Sequence, residues 1–160
     1  MTLEQRAKKD FRNFLIMVWK YLGLPRPTPI QLDIAKYLQD IYESTGSRRA
    51  IIEAFRGVGK SWITSAFACW VLLKNPEEKI LVVSASKDRS DSFSTFTKRL
   101  LEDVPILRFL RPRDEQRNSN VMFDVAPCRP AHAPSVKSVG ITGQMTGSRA
   151  NIIIADDVET

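Results

Sequence analysis

Residues Arg49–Ser61, RAIIEAFRGVGKS, decide how this chain is read. The segment predicts a buried strand over Ala50–Ala54, a glycine-bearing turn over Phe55–Gly59, and a helix opening at Lys60-Ser61. That order is the layout of a phosphate cradle. Backbone N–H groups of the turn and the first helical turn point at one spot, and the helix dipole makes it favourable for an anion. Gly57, Val58 and Gly59 would supply amides there, Lys60 would reach the β- and γ-phosphates, and the Ser61 hydroxyl would bind Mg²⁺. The ligand expected on this reading is ATP or GTP.

The strict pattern asks for glycine five residues before Gly59, where this chain has Ala54. Alanine is the smallest substitute, and Gly57 and Gly59 keep the turn permissive. A bare Gly-Lys-Ser/Thr triplet arises by chance in roughly one chain in ten of this length, so the flanking residues carry the argument. A β-branched run precedes the turn, and Trp62–Leu73 follows as an apolar, helix-compatible stretch. The plain alternative is a glycine-rich strand-to-helix turn with a surface lysine.

A second half-site lies downstream in Asn151–Glu159, NIIIADDVE. Four apolar residues, Ile152–Ala155, predict a strand buried on both faces, as in a parallel sheet. It ends in Asp156 and Asp157, and ligands of such sheets sit beyond the carboxyl ends of the strands. Asp156 would hold Mg²⁺, directly or through water, and Asp157 or Glu159 would orient or deprotonate the attacking water. A strand running into an acidic surface turn is the alternative.

Bulk properties narrow the classes. With 160 residues, 43% hydrophobic and 26% charged, the chain can bury one good core. No apolar run reaches membrane-spanning length, and no membrane partner is expected. The basic start followed by LIMVW is too short and too interrupted for a secretion signal and reads as an amphipathic helix. Two cysteines make no disulfide framework, and a single histidine, His132, argues against zinc. A reducing cytoplasm suits this usage. The net charge of +6 suits a polyanion such as DNA or RNA, or simply a solvated basic surface.

Along the chain, Leu3–Leu22 predicts a helix, GLPRPTPIQ a stiff connector, and Ile30–Ser44 a second helix. After the phosphate turn come a strand over Lys79–Ser84, a helix over Asp88–Asp103, and a basic, irregular stretch over Pro105–Gln116. That stretch would either touch nucleic-acid phosphates or be solvated. Further strands are expected over Val121–Val125 and Val136–Ile141. Alternating strands and helices predict an α/β fold with a mainly parallel central sheet flanked by helices. Residues 1–29 form the N-terminal helical segment and connector, and 30–160 the nucleotide-binding core, expected to be truncated at its C-terminal end.

Three segments, AFRGVGKS, ILVVSASKDRSD and SVKSVGITGQMTGSRANIIIADDVE, carry a family resemblance that runs from about Trp19 to Glu159. The chain resembles the N-terminal ATPase region of the large terminase subunit of short-tailed double-stranded DNA phages. The resemblance implies a P-loop NTPase fold related to RecA and superfamily 2 helicases, and an ATP- and Mg²⁺-dependent motor that packs viral DNA into a procapsid. It implies double-stranded DNA, the portal protein and the small terminase subunit as partners, and a ring, expected to be a pentamer. The place implied is the host cytoplasm, transiently at the portal vertex. The nuclease of such proteins lies in a C-terminal domain beyond these residues. By the same resemblance Lys60 and Ser61 match the phosphate-loop pair, Arg56 the basic residue inside the loop, Gln31 the adenine-reading glutamine, and Asp156 the metal-binding aspartate. An amide is apt against adenine because it both donates and accepts.

Two departures stand out. Asp157 occupies the position where most terminases carry glutamate, which leaves Glu159 as the reserve base. Thr146-Gly147 stands where many carry Arg-Gly, so the arginine finger falls to Arg149, or to Arg56 within its own subunit. Two rival functions remain at this level: a superfamily 2 helicase-type translocase, and a non-catalytic nucleic-acid-binding module with a relic nucleotide site.

Overall fold

In the computed structural model, which describes residues 1–44, 49–53, 59–141 and 149–156, the chain is an α/β fold built on one four-stranded sheet. Helices α1 (Leu3–Lys9), α2 (Phe11–Tyr21), α3 (Pro29–Glu43) and α4 (Lys60–Lys74) precede β1 (Ile80–Ser84). Helix α5 (Lys87–Asp103) follows, then a 3-10 helix (Pro105–Leu110), β2 (Met122–Phe123), β3 (Val136–Gly140) and β4 (Ile152–Asp156). The strand order is β2-β3-β1-β4.

The sheet is mixed, which corrects the expectation of a mainly parallel one. Strands β3, β1 and β4 run parallel, but β2 pairs antiparallel with β3. The reason is the connection. A loop without a helix joins β2 to β3, and such a link returns the chain antiparallel, whereas parallel neighbours need a longer crossover.

Two further expectations change. The predicted strand at Ala50–Ala54 is absent over its described part: residues 50–53 carry no ladder, and Ile51 is 84% exposed. The outer edge of β4 pairs with no described strand. Nor is β4 buried on both faces. Ile152 and Ile154 pack on the core while Ile153 is 66% exposed. Among the described elements, helices α4 and α5 meet the sheet on the face that carries Ile80, Val82, Val136, Ile152 and Ile154.

The long N-terminal helix divides at Asp10. This residue leaves helical geometry (φ −129°, ψ 118°), ends α1, and caps α2 by accepting a hydrogen bond from Arg12 N at 2.9 Å. Thr2 and Thr28 form capping boxes with Gln5 and Gln31 at the starts of α1 and α3.

Helix α4 is the hub. Nearly every residue from Ile63 to Leu73 is buried, as expected of a helix packed on all sides. Phe11 and Phe14 of α2 and Tyr42 of α3 close around Phe67 and Trp70. The Trp70 indole N–H donates to the carbonyls of Ala7 and Lys8 at 3.1 and 3.2 Å, which ties α1 to the hub. Trp62, half-exposed in the first turn of α4, stacks on Phe96 of α5 and meets Trp19 of α2 edge-on. The start of α4 is thereby fixed to two other helices.

Candidate functional site

Gly59 precedes α4 in left-handed geometry (φ 84°, ψ 31°), which a residue with a side chain adopts only at a cost. The turn delivers Lys60 and Ser61 as the first residues of the helix, with their amides at its positive end. Strand β4 arrives from the other direction. In register with β1, Ser84 lies beside Asp156, so Asp156 stands at the carboxyl end of the sheet. There the Ser61 hydroxyl donates to Asp156 Oδ2 at 2.8 Å. Two residues 95 positions apart are in direct contact.

Asn151 holds this register at the opposite edge. Its N–H donates to the Lys79 carbonyl at 2.8 Å, and its side-chain oxygen accepts from Lys79 N at 2.9 Å. The clip fixes how far β4 runs past β1, and so where Asp156 ends up. Sequence reasoning missed Asn151, although a short polar side chain opening an apolar strand is a recognisable signal.

The hydroxyl and carboxylate suit a hard cation such as Mg²⁺, which binds one or two protein oxygens, retains several waters and completes its shell with phosphate. A helix start with Lys60 beside it suits the phosphates themselves.

A cavity of about 290 Å³ lies between α3, α4 and β4, and both Lys60 and Asp156 line it. Lys60, Thr64 and Asp156 make that end polar, and Tyr42 and Asn151 add polar groups elsewhere along the wall. Most of the remaining wall is apolar, formed by residues such as Ile34, Leu38, Phe67 and Ile154, and a triphosphate gains nothing against those side chains.

The remaining expected site residues divide. Gln31 is brought close: a Cβ added at Gly59 would lie 3.3 Å from Gln31 Nε2. Its amide oxygen accepts from Thr28 N at 3.0 Å, so in this state it completes the α3 cap. Arg149 is not brought close. It is exposed and lies before β4, at the sheet edge opposite Asp156, and β4 alone separates the two edges by about 13 Å. Arg56, Gly57, Val58, Asp157 and Glu159 lie outside the described residues.

The basic stretch after α5 is occupied with its own structure. Arg111 pairs with Glu102 and Arg113 with Glu115. Arg117 pairs with the buried carboxylate of Asp124 at 3.1 Å and donates to the carbonyls of Ala131, His132 and Ala133. Its guanidinium thus holds the loop between β2 and β3 in shape. Both cysteines are buried, and burial pushes the Cys69 thiol far above its ordinary range, which makes it a poor nucleophile.

Two comparisons bear on the chain as a whole. Residues 51–159 match the family model described as "Terminase large subunit, T4likevirus-type, N-terminal". Over 154 residues the chain is 54% identical to "Terminase, large subunit" of Enterobacteria phage T3, an alignment that covers 96% of this chain and 26% of that protein. The chain therefore spans about a quarter of the length of the curated relative it matches. With two-thirds of its length inside the family model and a relative of this identity, the chain belongs to the terminase large-subunit family.

Proposed function

We propose that this chain carries the nucleotide-hydrolysing site of a motor that moves double-stranded viral DNA into a procapsid, on a P-loop NTPase core. The observation that carries the reading is the meeting of Ser61 and Asp156 at the start of α4, with Lys60 adjoining. ATP would lie with its phosphates on that helix start. A bound Mg²⁺, held by Ser61 and Asp156, would neutralise charge on the β- and γ-phosphates.

The chain's own residues do the rest. Lys60 balances charge developing on the transferred phosphoryl group. Gly57, Val58 and Gly59 present amides to the phosphates, and Gln31 turns from its cap to the adenine edge. Asp157 or Glu159 orients the attacking water. Arg56 acts within its own subunit, whereas Arg149, at the far edge of the sheet, serves only a neighbouring subunit's site. A ring of subunits, with five as the expected number, supports that arrangement. Double-stranded DNA, a portal protein and a small terminase subunit are its proposed partners, at the portal vertex in the host cytoplasm.

The test is Lys60→Ala. Nucleotide binding by equilibrium titration and DNA-stimulated ATP turnover should both be lost, while the far-ultraviolet dichroism spectrum stays that of the parent. Unchanged turnover would end the proposal.

A further inference from the structure

Ser84, the last residue of β1, is 1% exposed, and its hydroxyl has no hydrogen-bond partner among the described residues. A buried hydroxyl left without a partner is costly, and its position shows what could use it. Ser84 is paired in register with Asp156 on the neighbouring parallel strand, so the two side chains project from the same face of the sheet. It is the helix-covered face, since Ile80 and Val82, at the preceding even positions of β1, lie in the core with Ile152 and Ile154.

Asp156 does not bond to Ser84; its Oδ2 accepts from Ser61. Adjacent strands lie about 4.8 Å apart. The two side chains are therefore close enough for one water to hydrogen-bond to both. A hydroxyl can donate to or accept from such a water as its orientation demands.

We infer that the Ser84 hydroxyl is a third oxygen of the cation site, a positioning residue that holds a water of the hydrated metal beside Ser61 and Asp156. The inference rests on the nucleotide–metal reading above. It explains why a polar residue closes an otherwise apolar strand, ILVVS, at the level of Asp156. Two other buried hydroxyls lack partners, those of Ser138 and Ser94. Ser138 is level with Val82, two residues short of the strand end, and Ser94 lies on α5. Ser138 therefore makes an internal control: the same chemistry on the same face at the wrong level.

The experiment measures Mn²⁺ binding in the presence of ADP, by the electron paramagnetic resonance signal of free Mn²⁺, together with the thermal midpoint of the unliganded chain. Ser84→Ala should weaken Mn²⁺ binding about fivefold, the loss of one ordinary hydrogen bond, and should melt no lower than the parent. Ser138→Ala should bind Mn²⁺ like the parent. Parental affinity in Ser84→Ala, with affinity lost in Asp156→Asn, would overturn the Ser84 role and leave the site reading standing. Equal losses in Ser84→Ala and Ser138→Ala, or a lowered melting point or failure to fold in Ser84→Ala, would mark the hydroxyl as structural and also overturn it. Absence of Mn²⁺–ADP binding in the parent would remove the site reading, and the Ser84 role with it.

Discussion

The Ser61 hydroxyl donates to the Asp156 carboxylate at 2.8 Å, and this contact joins the start of α4 to the end of β4. Both groups offer oxygen ligands near the positive end of a helix, a donor set that suits a hard divalent cation.

Ser61→Ala and Asp156→Asn should therefore act as a unit. Each should weaken Mg²⁺-nucleotide binding, and the double variant should lose little more than the worse single. Groups sharing one partner show coupling of about 0.5–3 kcal/mol in such cycles. Strictly additive losses by titration would separate the two residues from a common ion.

Gly59→Ala tests the turn. The left-handed conformation costs an alanine about 1–2 kcal/mol, and the new Cβ would also press on Gln31 Nε2 at 3.3 Å. Gly23 has similar geometry (φ 72°) with nothing within 4 Å of a Cβ. Chemical denaturation should show a larger loss for Gly59→Ala than for Gly23→Ala, and only the former should weaken nucleotide binding. Equal losses would mean that contact with Gln31 is irrelevant.

Trp70→Phe keeps an aromatic six-membered ring but removes the five-membered ring with the N–H that two α1 carbonyls share. A destabilisation of about 2 kcal/mol is expected from the lost bonds and the small void. Amide exchange should accelerate first in Leu3–Lys9. Unchanged protection there would show that α1 is held by other contacts.

Asp10 gives a pH signature. Burial alone would raise its carboxyl, but hydrogen bonds and charge from Arg12 outweigh that and hold it below the usual 3.8. A depressed folded-state pKa gives stability that is fully present above the unfolded value. It is lost as pH falls below about 3.8 through the folded value. Asp10→Ala should cost about 1 kcal/mol near neutrality, mostly through the α2 cap. The difference in thermal midpoint should shrink between pH 4 and 2, and a constant difference would contradict the linkage.

Most elements were legible because their signals are local. The apolar spacing of Ile30–Ser44 returned as α3 within a residue at each end, and KILVVS returned as β1. Asp10 was less legible: the apolar stripe of Leu3–Leu22 continues across it, while its side-chain cap breaks the backbone there. Arg117 looked like one more surface charge because the carbonyls it binds belong to a loop fourteen to sixteen residues on.

By itself the sequence determined that Lys60 and Ser61 open a helix after a glycine and that Asp156 closes an apolar strand, since periodicity and turn chemistry act between near neighbours. Only the tertiary structure decided that these ends meet and that Ser84 lies level with Asp156. Those relations depend on strand order, and on a register set by backbone pairing and by Asn151 across 72 residues. A pattern of neighbours cannot encode a lateral distance between strands.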